Sequence, residues 1–139
     1  MARLDTFLRI AADQRASDLH FHAGKVPRVR YNGELSTMPF RVLSEPQVRA
    51  LLDEILEARQ LATLDRDGQV DFAYDLPDVG RFRGSVCRQA GGLSAVFRVV
   101  PNDTPNLDDL ELPAAVAGFT RHANGMVLVT GPTGSGKTT

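Results

Sequence analysis

Gly131-Pro132-Thr133-Gly134-Ser135-Gly136-Lys137-Thr138 follows directly on the run Met126-Val127-Leu128-Val129-Thr130, and this junction constrains the fold more than any other stretch. The run is apolar, β-branched and without alternation, as expected of a strand buried on both faces of a parallel sheet. The eight residues behind it have the spacing G-x-x-x-x-G-K-[ST] of a phosphate-binding loop. Its glycines let backbone N–H groups converge on phosphate oxygens with no Cβ in the way. In such a loop Lys137 reaches the β- and γ-phosphates, the Thr138 hydroxyl binds Mg²⁺, and Thr139 completes the binding stretch. A nucleoside triphosphate with Mg²⁺ is therefore the expected ligand. A glycine-rich turn matching by chance is the bland alternative, and the apolar run ahead of the motif argues against it. Up to Thr139 there is no following helix, no acid for the metal and no residue to position an attacking water. The stretch reads as part of something longer and alone is expected to hydrolyse nothing.

The first hundred residues carry a different pattern. Leu4, Phe7, Leu8 and Ala11 recur at helical spacing within Arg3 to Gln14, and Leu19-His20-Phe21-His22 alternates like a strand. Asn32-Gly33, between Val29-Arg30-Tyr31 and Glu34-Leu35, supplies the two positive-φ positions of a tight hairpin turn. A second helix begins at Ser44, which has capping-box spacing with Gln47, and Val48, Leu51, Leu52, Ile55 and Leu56 form its stripe. A shorter helix runs from Ala58 to Leu64, and Gly68 ends the unit. Three strand-like runs follow, at Val70 to Tyr74, Arg81 to Arg88 and Leu93 to Val100. The reading is a mixed α+β domain with an antiparallel sheet. Leu4, Phe7, Leu51, Leu52, Ile55, Phe72, Phe82, Val86, Phe97 and Val99 are its candidate core. Pro101 to Pro113 reads as a linker, either a hinge or a surface loop, and a helix is expected between Pro113 and Gly125.

Composition sets the outer bounds. A chain of 139 residues is about one ordinary domain at roughly 100–200 residues each. Hydrophobic content of 42% and charged content of 24% exclude disordered, collagenous and disulfide-scaffold classes. No apolar run nears the ~20 residues of a membrane span. The N-terminus has Asp5 where a signal peptide needs its apolar stretch, and the single Cys87 cannot close an internal disulfide. The chain reads as intracellular and not inserted in a membrane. A net charge of −1 gives no general attraction for nucleic acid. Of the 16 basic residues only Lys25 and Lys137 are lysines. Genomic base composition explains that bias, and so does phosphate recognition, to which the guanidinium fork is suited.

Ala16-Ser17-Asp18-Leu19-His20, followed by Val26-Pro27-Arg28-Val29-Arg30-Tyr31-Asn32-Gly33-Glu34, resembles the opening of the type IV pilus retraction ATPases, the PilT family of secretion-type hexameric ATPases. Gly80-Arg81-Phe82-Arg83, Ala95-Val96-Phe97-Arg98 and the stretch from Gly125 to Lys137 extend the resemblance from about Leu4 to Thr139. It implies a PAS-like N-terminal domain over 1–100, a linker over 101–112 and the start of a RecA-like α/β ATPase domain over 113–139, truncated at the loop. It further implies a cytoplasmic homohexamer, peripheral at the inner membrane beneath the pilus. That ring would couple ATP hydrolysis to pilus disassembly and twitching motility through an inner-membrane platform protein. In relatives the connection over 102–112 passes near the adenine. The family's Asp box, Walker B glutamate, His box and retraction motif lie beyond residue 139. Pilus extension and type II secretion ATPases are the runner-up, although these relatives usually carry a longer N-terminal region.

Arg81 and Arg83 share a strand face, and Arg98 lies on the neighbouring strand, so with Arg88 they can form a basic patch. Solvated charge that discourages edge pairing explains them in bland terms. The resemblance implies instead that Arg81, Arg83 and Arg98 approach the nucleotide and act on its phosphates. His20 and His22 share a face but have no third metal ligand near them in sequence, and a structural role is expected. Asp18 is expected to bond the turn after the first helix, and Cys87 to be an ordinary small strand residue. Two readings of other classes stay open: an interaction domain without catalysis, and a PAS-like sensor with a ligand in an interior cavity.

Overall fold

The computed structural model describes residues 2–100 and 106–131. Two compact units divide between Asn102 and Asp103. The first is built of α1 (Arg3–Asp13), β1 (Asp18–His22), β2 (Arg28–Tyr31), β3 (Glu34–Thr37), α2 (Glu45–Asp53), α3 (Ala58–Asp67), β4 (Gln69–Leu76), β5 (Gly80–Gln89) and β6 (Gly92–Val100). The mixed α+β reading therefore holds.

Local chemistry starts and stops these elements. Asn32 and Gly33 take φ of 47° and 85°, closing the β2–β3 hairpin with Tyr31 opposite Glu34. Ahead of α2 the Gln47 side chain accepts the Ser44 N–H at 2.9 Å, and Gln60 does the same for Glu57 ahead of α3. Gly68, at φ 75°, ends α3 in the left-handed conformation that glycine adopts without strain.

All six strands pair antiparallel, in the order β3-β2-β1-β6-β5-β4. Because side chains alternate between faces, Leu19, Phe21, Phe72, Phe82, Val86, Ala95 and Phe97 enter the core together with Leu4, Leu8, Val48, Leu52 and Leu64 from the helices. Phe7, Ile55 and Val99 are only partly buried and pack against that core. The opposite face is polar and carries most of the residues singled out above.

Tyr74 ties β4 to the start of α1. Its hydroxyl donates to the buried Asp5 carboxylate at 2.7 Å, whose other oxygen accepts the Ala2 N–H. Burial, reinforced by that bond and the Asp5 charge, pushes the hydroxyl from near 10 up to about 12. A raised acid pKa stabilises the fold fully below the unfolded value and loses that contribution as pH climbs through the folded one. Stability is therefore expected to fall between about pH 10 and 12, and Tyr74→Phe removes that slope. At neutral pH the same substitution leaves a carboxylate oxygen unpaired and costs about 1.5–3 kcal/mol, read from a denaturant midpoint.

In the second unit, α4 covers only Ala115–Phe119, not the span from Pro113 to Gly125. Helices shorter than ~12–15 residues are marginal without packing, and α4 buries no residue. Met126–Thr130 also departs from the sequence expectation. Among the described residues it pairs with no strand, and Met126 is 80% exposed. A strand buried on both faces needs ladder neighbours and covering helices, and the described part of this unit supplies neither.

Candidate functional site

Of the phosphate-loop residues only Gly131 lies within the described residues; Pro132, Thr133, Gly134, Ser135, Gly136, Lys137, Thr138 and Thr139 lie outside them. The chemistry of that set nonetheless suits a nucleotide. Backbone amides and an ammonium match phosphate oxygens, and a hydroxyl oxygen is a hard ligand suited to Mg²⁺.

The arginines meet on the polar face of the sheet. One row crosses it as Arg30 on β2, Asp18 on β1, Arg98 on β6 and Arg83 on β5. Arg83 and Arg98 are directly opposite, so their Cβ atoms stand about 4.5–5.5 Å apart. Both border a depression of about 280 Å³ with Asp18, Asp71, Ser85 and Val96. Arg83 is exposed and enters no ion pair or side-chain hydrogen bond among the described residues. Arg98 donates from Nε to Asp18 Oδ1 at 3.0 Å. One row away, Arg81 faces Asp75 across β4, with Nε 3.5 Å from its carboxylate, and both are well exposed.

Arg88 does not join them. Its register opposite Leu93 turns it to the other side of the sheet, at the margin of the core, where it lies 3.8 Å from Glu45 and 4.0 Å from Asp65. Its position belongs to the same alternating set as Phe82 and Val86, so the strand's period of two separates it from Arg81 and Arg83.

Sequence reading gave Asp18 a bond at the turn after α1 and missed its second partner. The carboxylate accepts from Ser17, beside the turn after α1, and also reaches Arg98, eighty residues away. Its side chain is only 8% exposed, and Arg30 Nε lies 3.5 Å from it on the other flank. Burial raises the Asp18 carboxyl pKa, but the Ser17 and Arg98 hydrogen bonds and the charges of Arg98 and His20 outweigh that and hold it below its ordinary value. The group is an anion at neutral pH. Its sequence signal was an acid opening a strand whose alternate residues Leu19 and Phe21 are buried.

His20 and His22 share this face, their rings nearly parallel at 6.4 Å between centroids. His22 Nδ1 meets Ser94 Oγ at 2.9 Å, while His20 Nε2 is buried without a partner. Burial holds the His20 imidazole below its ordinary value, against the pull of Asp18 and helped by the charges of Arg30 and His22. Among the described residues no three His, Cys, Asp or Glu side chains are placed to hold a metal. Cys87 is exposed on β5. No helix among the described residues is long and apolar enough to cross a membrane.

Comparison with known proteins joins these observations. The chain is 36% identical over 132 residues to the type IV pilus retraction ATPase PilT of Pseudomonas aeruginosa, a match covering 95% of this chain and 38% of that protein. Its structure is similar to the crystal structure of the pilus retraction motor PilT with bound ADP, with a TM-score of 0.83 and 34% identity over 99% of this chain and 40% of the other. The ATPase DotB of Legionella pneumophila is similar at a TM-score of 0.77 and 26% identity, over 97% of this chain and 39% of its own. The chain thus spans about two fifths of the length of these relatives. Residues 2–139 match the type II/IV secretion system protein family, and the chain belongs to that family.

Proposed function

We propose that this chain is the front part of a hexameric motor ATPase that binds Mg-ATP and powers type IV pilus retraction. The observation that carries the reading is the likeness to a pilus retraction ATPase over 95% of the chain, within a family match that includes the phosphate-loop motif. In this reading 1–100 is a PAS-like lever, 101–112 its linker and 113–139 the start of a RecA-like domain. The site is cytoplasmic, peripheral to the inner membrane, and the ring works on the pilus platform protein there.

The loop amides from Gly131 to Gly136 and the Lys137 ammonium bind the triphosphate, and Thr138 would hold Mg²⁺ against it. Bound Mg²⁺ supplies charge neutralisation on the phosphate oxygens. Arg83 and Arg98, with Arg81 at the margin of the same face, approach the phosphates held by such a loop, in the same subunit or in a ring neighbour. They stabilise the charge that develops as the terminal phosphoryl group leaves. Their release after hydrolysis lets the front domain swing on the linker.

A pilus assembly or secretion ATPase is the second reading, favoured by the breadth of the matched family. Lys137→Ala, placed in the intact protein in its own host, distinguishes the two. Loss of twitching with pili still on the surface is expected for a retraction motor. Loss of the surface pili themselves contradicts it and supports assembly.

A further inference from the structure

Arginine–carboxylate pairs in this molecule come in two geometries. Arg49 engages Asp65 through Nη1 and Nη2, one to each oxygen, and Arg66 engages Asp67 through Nε and Nη2. Those are closed, two-point pairs, the geometry in which guanidinium and carboxylate saturate one another. Arg98 is of the one-point kind, as Arg3 is with Glu54, where the second carboxylate oxygen is likewise engaged by another donor. Arg98 donates to Asp18 from Nε alone, and its side chain remains 70% exposed.

The cause lies in Asp18. Its second oxygen accepts the Ser17 hydroxyl at 2.9 Å and has Arg30 Nε at 3.5 Å. Arg30 is itself anchored, donating from Nη1 to the Gly33 carbonyl at 2.9 Å. With that oxygen already engaged, Arg98 holds Asp18 at one point only. Its terminal nitrogens, four N–H donors, stay unpaired among the described residues and lie beside Arg83. Like charges directly opposite on neighbouring strands repel, so Arg98 would turn away from Arg83 unless something held its inner nitrogen.

We infer that Asp18 is a positioning residue: with Ser17 blocking its second oxygen, it fixes Arg98 through Nε and holds the Arg98 fork open beside Arg83 to receive a phosphoryl group. The inference rests on the proposed nucleotide-directed role of Arg83 and Arg98 and names what prepares them. A guanidinium fixed at Nε keeps the planar pair of donors that matches two phosphate oxygens, and its orientation is set before the ligand arrives.

Steady-state ATP kinetics of the intact protein test it, with wild type, Arg83→Ala, Arg98→Ala, Asp18→Asn, Ser17→Ala and the Asp18→Asn/Arg98→Ala double variant. Misplacing one reacting group costs on the order of 100-fold, so Asp18→Asn is expected to lower kcat by about that factor. KM for ATP should stay the same or fall, because one negative charge leaves the face. The double variant should be no slower than Arg98→Ala alone. Ser17→Ala guards against a misfolded Asp18→Asn. It frees the second Asp18 oxygen, lets Arg98 close its pair, and should lower kcat without lowering the melting temperature. A purely structural ion pair would not behave so. The inference is overturned if Asp18→Asn and Ser17→Ala keep kcat while Arg98→Ala loses it, or if Asp18→Asn slows the Arg98→Ala background equally. If Arg83→Ala and Arg98→Ala both turn over normally, the nucleotide-directed reading falls and takes this inference with it.

Discussion

If the proposed function holds, Arg83→Ala in the intact protein is expected to slow ATP hydrolysis by roughly 10³–10⁵-fold, the range for arginines that neutralise charge in phosphoryl transfer. The expectation comes from where Arg83 stands: other arginines without an acid partner exist among the described residues, but Arg83 alone of them faces Arg98 across the sheet, while several neighbours are paired. Arg3 meets Glu54, Arg49 meets Asp53 and Asp65, Arg66 meets Asp67, Arg81 meets Asp75, and Arg88 lies near Glu45 and Asp65. Arg83 faces another arginine and has no acid of its own among the described residues. Such a placement does nothing for the free fold. Removing an exposed side chain normally shifts stability by within about 0.5 kcal/mol, and here it also relieves a repulsion. Nucleotide affinity should persist, because in the proposed site the loop amides and Lys137 would supply ground-state binding. Single-turnover hydrolysis beside a thermal melt separates the outcomes. Slow chemistry on an unshifted melt supports the role, and normal chemistry rejects it.

The second large effect lies directly beneath. Phe72, Gly84 and Phe97 form one row across β4, β5 and β6 on the core face. The Phe72 ring lies over the Gly84 backbone and meets Phe97 edge-on, with ring centroids 6.0 Å apart. A Cβ at position 84 would stand 2.5, 2.7 and 2.9 Å from three Phe72 ring atoms. The ring has little room to retreat, since Phe97 is fully buried and also packs against Phe21. Gly84→Ala should therefore destabilise by at least about 1–3 kcal/mol, the ordinary penalty of overpacking. That is a large share of the ~5–15 kcal/mol that holds a domain folded. Shrinking the ring relieves the clash, so Gly84→Ala/Phe72→Leu should be less damaged than the sum of its parts. Urea midpoints of the four proteins check this. Additive losses would place the cost elsewhere.

What was legible in the sequence was local. Asn32-Gly33, Ser44 with Gln47, and Gly68 each act through bonds to residues a few positions away, and each does in the structure what its chemistry requires. Alternation likewise separated Phe82 and Val86 from Arg81 and Arg83. Long-range pairing was not legible. A period of two says which side chains share a face, not which strand lies alongside. So the junction of β1 with β6, which brings Asp18 to Arg98, had no sequence signature. The same period, applied to Arg88, would have removed it from the patch. Met126–Thr130 shows the converse: its residues suit a buried strand, but that state depends on neighbours and not on propensity.

The most direct measurement is a crystal or cryo-electron microscopy structure of the intact protein with Mg²⁺ and a non-hydrolysable ATP analogue. The account predicts phosphate oxygens within hydrogen-bond distance of the amides of 131–138, and the Arg83 and Arg98 guanidinium groups of the same or a neighbouring subunit directed at the terminal phosphate. A nucleotide seated elsewhere, or one in this loop in every subunit with both guanidinium groups turned to solvent, would contradict it.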